Sequence, residues 1–281
     1  MVLLTFLVAL VVAVVVRGPG AVVGLLVLAA VFVPLERLTA LRRQRVLRPG
    51  LLTDLTHFLV NTMIVSVLTV AGVAVSALAL WWVRPLDVEA HLPAAVAVPL
   101  AVALVFVAQY WGHRFAHEVP ALWRFHAVHH STEQMDWVAS ARLHPVDQAV
   151  TQTFTAMPLF LLGFDRLAIV GVGAAVAVLA LFQHANVRLR FPGLRWVVNT
   201  PEWHHWHHAV DPEARDRNFG LPIVDRLFGT AYLPRDLRPS GFGTPDPVPA
   251  TGYLRQLAYP FLLAGSPRDA EGASPGAKRA S

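Results

Sequence analysis

Residues 94–117 read AAVAVPLAVALVFVAQYWGHRFAH, an apolar run that ends in two histidines one helical turn apart, His113 and His117. The apolar part, residues 94–111, is long enough to cross the hydrocarbon core of a bilayer, which needs roughly 17–25 residues. Ionisable side chains at that depth are costly and usually functional. The stretch therefore predicts a membrane helix that delivers imidazole groups to the membrane surface.

Two further clusters place histidines at helical spacing. Residues 126–130 read HAVHH and residues 204–208 read HHWHH. Positions i, i+3 and i+4 share one face of a helix, so each cluster is predicted to aim two or three imidazoles at one point. Neutral imidazoles in such numbers suit a transition metal such as iron, zinc or copper.

Three histidines need separate arguments. His204, His207 and His208 repeat the spacing of residues 126, 129 and 130, which favours these three as ligands. His205 could also pair with His208. We therefore expect His205 beside the metal or the substrate. His144 and His184 are single histidines at predicted membrane exits on the same side. This position favours His184 as a ligand and leaves the role of His144 open.

Ten histidines are too many for one ion and suit a pair of metals. The predicted metal ligands are His113, His117, His126, His129, His130, His144, His184, His204, His207 and His208. Metal-bound imidazoles are commonly oriented through their second ring nitrogen. The candidates for that role are Asp147, Glu202, Asn218 and Asp225, for each of which a helix cap or a surface salt bridge is an equal alternative.

Composition indicates a membrane protein and narrows the chemistry. The chain of 281 residues is 55% hydrophobic, with a mean hydropathy of +0.51, well above a soluble domain. It has no cysteine, which excludes disulfides, thiolate zinc sites and cysteine-ligated iron–sulfur clusters. The net charge of +5 comes almost wholly from arginine, as in proteins of GC-rich bacterial genomes. These arginines flank apolar segments and predict membrane orientation, not nucleic-acid binding.

Apolar runs at about 2–16, 20–35, 55–82, 94–111, 147–163 and 167–183 set the predicted topology. The third and fourth runs are predicted to span, the first two to form a short hairpin, and the last two to form a spanning or half-buried hairpin. Arginines concentrated in 37–48 are expected to stay cytoplasmic. Counting crossings from there places the 83–93 loop outside and the histidine clusters on the cytoplasmic side, where one metal site can form.

The predicted fold class is all-α: a multi-pass integral membrane helical bundle in the cell membrane with a cytoplasmic, histidine-rich helical cap. Residues 1–93 are predicted to form the N-terminal transmembrane helices and the basic loop, and residues 94–235 the catalytic domain. Residues 236–281 are predicted to be a C-terminal segment. It contains a membrane-surface patch at 253–264 and a disordered tail at 266–281.

The motifs resemble those of the membrane-bound fatty acid hydroxylase/sterol desaturase superfamily. Trp123–Ser131 is similar to its FHxVHH segment, and Leu-His144-Pro, Gln-His184-Ala-Asn and 199–208 resemble its later boxes. Residues 218–230 resemble its closing element, with Phe219 where Tyr is usual and Val224 where Trp is usual. The resemblance covers about 94–235.

The resemblance implies a non-haem oxygenase that binds two iron ions and acts on a lipid from the bilayer. It implies that O2 and two electrons oxidise an unactivated C–H bond to an alcohol or to a double bond. Because no electron-transfer domain is recognisable in the chain, we expect an external donor, a ferredoxin or a cytochrome b5-like protein with its reductase.

Three alternatives stay open from the residues alone. A histidine-rich metal transporter would spread its ligands along a path through the membrane, whereas these gather on one predicted side. A bis-histidine haem electron carrier needs only two to four axial histidines and leaves the triplets unexplained. Zinc could replace iron in the same cage, although the His-Glu-x-x-His pattern of zinc hydrolases is absent.

Overall fold

In a computed structural model, which describes residues 1–79, 81–82, 91–164 and 166–262, the chain folds into helices joined by loops. The α-helices are α1 Val2–Arg17, α2 Gly20–Thr39, α3 Leu51–Ala79, α4 Ala94–Glu118, α5 Pro120–His130, α6 Pro145–Leu161, α7 Arg166–His184, α8 Pro201–His207, α9 Pro222–Leu227 and α10 Tyr253–Leu262. Short 3-10 helices cover Trp137–Ala141 and Pro212–Ala214. In these ranges the β-type pairings are two isolated bridges, so the all-α prediction is confirmed.

Within the described ranges two helices, α2 and α4, are long and apolar enough to cross a membrane. A third candidate span is α3, whose parts Leu51–Val65 and Val67–Ala79 meet at a bend of 50°. The sequence predicted a short second helix, but α2 continues through Pro34 to Thr39 and reaches 20 residues. Most of the 83–93 loop and all of the 266–281 tail lie outside the described residues. Which side of the membrane holds the histidines stays a prediction.

Proline fixes where the site-bearing helices begin. Pro120, Pro145, Pro201 and Pro222 each open a helix, and the residue before each is extended. Proline suits the first turn because its φ is already helical and it lacks an N–H, and it forces its predecessor out of the helical region. Only Val119 therefore separates α4 from α5, which brings their histidine clusters together.

The apolar helices pack around α6, which contacts both α3 and α4. Glycine allows the close approach on the α4 side, where a Cβ on Gly112 would lie 2.7 Å from the Phe154 ring. On the other side of the site, α7 packs against α8 and against the 3-10 helix Trp137–Ala141. The ends of α4, α5, α7 and α8 thus converge on one region.

A buried ionic network ties the start of α3 to the segment that follows α5. Arg48 binds both oxygens of Asp136 at 2.5 and 2.6 Å and one oxygen of Asp54 at 2.7 Å. The other Asp54 oxygen accepts from Arg142 Nε at 2.5 Å. All four side chains are at least nine-tenths buried. The network fixes Arg142, whose carbonyl oxygen is 3.2 Å from Nδ1 of His129.

Replacing Asp54 by Asn should destabilise the fold strongly. Removing one partner from a buried charge cluster leaves the other charges uncompensated, which costs about 3–5 kcal/mol. We expect Asp54→Asn to lower the thermal midpoint of the detergent-solubilised protein. Asp236→Asn is the matched control, because Asp236 pairs with Arg190 on the surface and its side chain is 90% exposed. Equal midpoints for the two variants would contradict a structural role for the network.

Candidate metal centre

Nine of the ten histidines predicted as ligands lie together. The five-histidine group consists of His113, His117, His126, His130 and His207. The four-histidine group consists of His129, His184, His204 and His208. Within each group, one ring nitrogen per residue lies within 4.8 Å of every other. The groups adjoin each other, since the rings of His130 and His208 stack with centroids 4.3 Å apart.

The helical clusters divide between the groups in a way the sequence did not predict. On α5, His126 and His130 face the five-histidine group while His129 faces the other. His204 on α8 and His208 directly after it belong to the four-histidine group, whereas His207 belongs to the five-histidine group. Each triplet therefore directs two imidazoles at one group, within the two or three that were expected, and its third imidazole at the other group. Adjacent residues are about 100° apart around a helix, so His129 and His130 point in different directions, as do His207 and His208, whereas the i, i+4 partners stay close in direction.

Backbone carbonyls fix the tautomer of four imidazoles. The Nδ1 atoms of these rings contact carbonyl oxygens as follows: His113 with Phe219 at 2.6 Å, His129 with Arg142 at 3.2 Å, His184 with Ala180 at 2.7 Å and His207 with Arg217 at 2.8 Å. A carbonyl oxygen only accepts, so Nδ1 must carry the hydrogen. In a neutral ring this leaves an unprotonated Nε2, the atom that points into the group.

These Nε2 lone pairs face one another in the protein interior. His129 Nε2 and His184 Nε2 are 3.1 Å apart, and neither carries a hydrogen to share when both rings are neutral. His204 Nε2 lies 3.1 Å from His184 Nε2 and from His208 Nε2. Two nitrogens about 2.1 Å from a common ion and about 90° apart would be separated by roughly 3.0 Å. The spacing therefore fits ligands that share one cation.

Unsatisfied nitrogens in the other group support the same conclusion. In the described part of the chain, His130 Nε2 and His207 Nε2 are buried and have no hydrogen-bond partner. A buried polar atom without a partner costs about 1–3 kcal/mol, so such atoms require an explanation. A metal ion in each group would bind them, and the donor set suits iron, zinc or copper.

Burial keeps these rings neutral and able to bind a metal. It lowers the pKa of His129, His130, His204, His207 and His208 well below the ordinary imidazole value, and neighbouring imidazoles lower it further. A charged ring would lose its hydration and face other rings. At neutral pH the lone pairs are therefore free of protons.

Carboxylates orient two further rings. Both oxygens of Asp147 lie 3.1 Å from Nδ1 of His126, the contact that its predicted role requires. Asp216 Oδ1 lies 3.2 Å from Nδ1 of His117, and sequence reasoning missed this residue. Asp216 has a φ of 55°, in a region that few residues other than glycine adopt. The sequence around it carries no signal for this contact.

The other three candidates for orienting imidazoles make different contacts. Glu202 pairs with Arg190 Nε at 3.2 Å. The Asn218 side chain binds the backbone of Trp203 and Tyr232.

Asp225 supports the site through the backbone. Its carboxylate accepts the N–H groups of Phe219 and Gly220 at 2.8 Å each. It thereby holds the loop whose carbonyl, that of Phe219, contacts His113. None of these contacts joins Glu202, Asn218 or Asp225 to an imidazole nitrogen.

His144 and His205 lie outside both groups. His144 caps the start of α6, accepting from Val146 N at 3.1 Å, and its Nε2 contacts Leu257 O at 3.1 Å. Both nitrogens of His144 are used, so the structure does not bring it to the metal region. His205 is buried, and its ring packs against Phe242 with centroids 5.3 Å apart.

A cavity of about 170 Å³ reaches both groups, since His113, His126, His129, His184 and His204 line it. Its remaining walls come mainly from the apolar helices α4, α6 and α7, through residues such as Phe106, Phe154, Val176 and Leu179. Gln109, Thr151 and Gln183 add polar groups. The cavity therefore joins the histidines to an apolar space suited to a hydrocarbon chain.

Two all-histidine groups that could each hold a metal ion lie at the end of the membrane-length helix α4 and on the helices packed near it. Comparison with known proteins is more specific: residues 98–230 match the fatty acid hydroxylase family. This region of the chain is similar to that family, and the resemblance seen in the histidine motifs is confirmed.

Named relatives agree with this assignment. An ornithine lipid hydroxylase of Rhizobium tropici is 35% identical over 175 residues, 62% of this chain and 53% of the relative. An alkylglycerol monooxygenase of Danio rerio is 32% identical over 172 residues, 58% of this chain and 36% of the relative. A very-long-chain aldehyde decarbonylase of Oryza sativa subsp. indica is 27% identical over 220 residues, 66% of this chain and 32% of the relative. The chain thus spans about half or less of these relatives, and no solved structure matches.

Replacing Asp147 by Asn should weaken metal retention. An amide oxygen is a weaker hydrogen-bond acceptor for the Nδ1–H of His126 than a carboxylate. Loss of such a partner typically lowers metal affinity 10–100-fold. We expect Asp147→Asn to lose metal to a chelator faster than the wild type. Glu213→Gln, at an exposed glutamate, is the control. Identical release rates in all three proteins would refute the contact's role.

Proposed function

We propose that the protein is a membrane-bound lipid hydroxylase that holds one iron ion in each histidine group. The observation that carries the proposal is the pair of histidine groups whose ring nitrogens face one another, including the Nε2 atoms of His129 and His184, which the carbonyls at their Nδ1 atoms leave without hydrogens. Nitrogen donors alone suit both zinc and iron. The names of the relatives favour iron, because hydroxylation needs a redox metal and zinc has no redox chemistry.

When bound, the two iron ions supply the O2 chemistry that oxidises an unactivated C–H bond, using two electrons from an external donor. The residues of the chain hold and shield this centre. The carbonyls of Phe219, Arg142, Ala180 and Arg217 and the carboxylate of Asp147 keep hydrogens on Nδ1 and lone pairs on Nε2. The apolar walls of the cavity exclude water and place a hydrocarbon chain beside the histidines.

The substrate we propose is a polar lipid whose chain enters the cavity from the bilayer. Two relatives are named for lipids that carry a polar head on apolar chains, and both names denote hydroxylation or monooxygenation. The cavity walls from α4 and α7 connect the histidines to helices with membrane character. Hydroxylation is therefore favoured over desaturation.

The setting of the enzyme completes the proposal. We infer that the protein is a multi-pass protein of a bacterial cell membrane. Its metal centre would lie on the cytoplasmic side, together with the arginines of 37–48. The electron donor is an external ferredoxin or cytochrome b5-like protein with its reductase. Residues 94–235 form the catalytic domain.

Metal content tests the division into two groups. His129 belongs to the four-histidine group and His207 to the five-histidine group, so each alanine substitution should remove one ion. We expect about two irons per chain in the wild type and about one in either variant, measured by elemental analysis. His144→Asn keeps the helix cap and should retain both irons. Full metal content in both alanine variants would contradict the proposed ligand sets.

Lipid composition tests the activity itself. Cells that express the wild type should accumulate a hydroxylated lipid that is absent with His129→Ala and with His207→Ala. Both variants should lose the same product, because one reaction needs both ions. Comparative lipidomics with matched protein levels measures this. A desaturated or shortened product in place of an alcohol would refute hydroxylation, and unchanged lipids in all strains would refute the enzyme proposal.

A further inference from the structure

A second cavity, of about 600 Å³, lies between α2 and the chain segment 40–46. It shares no lining residue with the cavity at the histidines. The proposed reaction gives it no role.

One face of α2 forms a long apolar wall of this cavity. Leu26, Ala29 and Val33 line it at intervals of three and four residues, which places them on one side of the helix. The same face continues to Arg37, so at 1.5 Å per residue the wall is roughly 16 Å long from Leu26 to Arg37. The cavity is therefore apolar along a membrane-length helix and basic at the end of that helix.

Four arginines line the basic end: Arg37, Arg42, Arg43 and Arg45. Arg42 is engaged, since it donates to Pro239 O at 2.6 Å and lies over the Phe242 ring. Arg43 and Arg45 are exposed, and neither has a hydrogen bond or an ion pair within the described ranges. Two guanidinium groups are thus available to a ligand.

The carboxylates that line the cavity do not neutralise these arginines. Glu36 Oε1 accepts backbone N–H groups from Trp137 and Asn186 at 2.8 Å each. Both oxygens of Asp136 bind Arg48. The basic end therefore has an excess of positive charge, which favours binding of an anionic ligand.

We propose that this cavity binds an anionic phospholipid as a component separate from the substrate. The forked donors of Arg43 and Arg45 match a phosphate group, and one acyl chain lies along Leu26, Ala29 and Val33. Basic pockets beside membrane helices are known to attract anionic lipid head groups. An acidic protein would satisfy the arginines but would leave the apolar wall uncovered.

Bound lipid would also support the metal centre. The cavity is closed on one side by Asp136 and Trp137, which belong to the segment between α5 and α6. This segment leads to Arg142, whose carbonyl contacts His129. Lipid binding should therefore raise the thermal midpoint of the protein, whether or not the proposed hydroxylation takes place.

Lipid titration of the full chain in neutral detergent tests the proposal. We expect phosphatidylglycerol to bind, as seen by native mass spectrometry, and to raise the thermal midpoint. Phosphatidylcholine and inorganic phosphate should do neither. The double variant Arg43→Gln/Arg45→Gln should bind phosphatidylglycerol about 30-fold more weakly, the factor expected for losing two arginines at an anionic head group.

Two further variants distinguish binding in this cavity from a general attraction of the anionic lipid to the positively charged protein. Arg188→Gln/Arg235→Gln removes the same charge from exposed arginines outside the cavity and should bind like the wild type. Ala29→Phe fills the apolar wall and should weaken binding with no change of charge. Equal binding of the two phospholipids, or equal losses in both arginine variants, would overturn the proposal. Undiminished binding by Ala29→Phe would overturn it as well, because an anion or an acidic partner would then suffice.

Discussion

The structure depends on one unusual constraint: nine imidazoles gather in the protein interior, and several of them direct ring nitrogens at one another. Packed interiors avoid this arrangement, because each buried acceptor without a donor is destabilising and facing lone pairs repel. Protonation does not relieve it, since burial and neighbouring rings keep the pKa of His129 and His204 well below the ordinary imidazole value. A metal cation in each group, as proposed, would remove the repulsion by binding the facing nitrogens. The contacts described around the groups hold the rings in this arrangement.

That support comes in two layers. The rings are held by carbonyls and carboxylates, and those groups are in turn fixed by polar contacts further out. Asp225 holds the loop that presents the carbonyl of Phe219, and Asp54 binds Arg142, whose carbonyl meets His129. Because the supporting groups are themselves buried, a substitution well away from the histidines can shift a ring. The apolar helices add the cavity, so that one arrangement gives both the histidine groups and an apolar space beside them.

Much of this architecture was predictable from the sequence. Helical spacing and the family resemblance predicted the all-α fold, the relation to lipid oxygenases and the set of histidines that lie together. Their division into groups of five and four was not predictable, because it depends on how α5 and α8 rotate against their neighbours. His144 differs from His184 only in its surroundings, so spacing could not separate a helix cap from a candidate ligand. The structural importance of Asp54 was indicated by the sequence, because a carboxylate beside an apolar run is unusual. The contact of Asp216 with His117 depends on a loop conformation that no local sequence pattern indicates.

The most direct measurement of the central claim is anomalous diffraction at the iron edge from crystals of iron-loaded protein. We predict two peaks of similar height, one bounded by the nitrogens of the five-histidine group and one by those of the four-histidine group. A single peak, or iron bound at His144 or elsewhere with the nine rings left uncoordinated, would contradict the account.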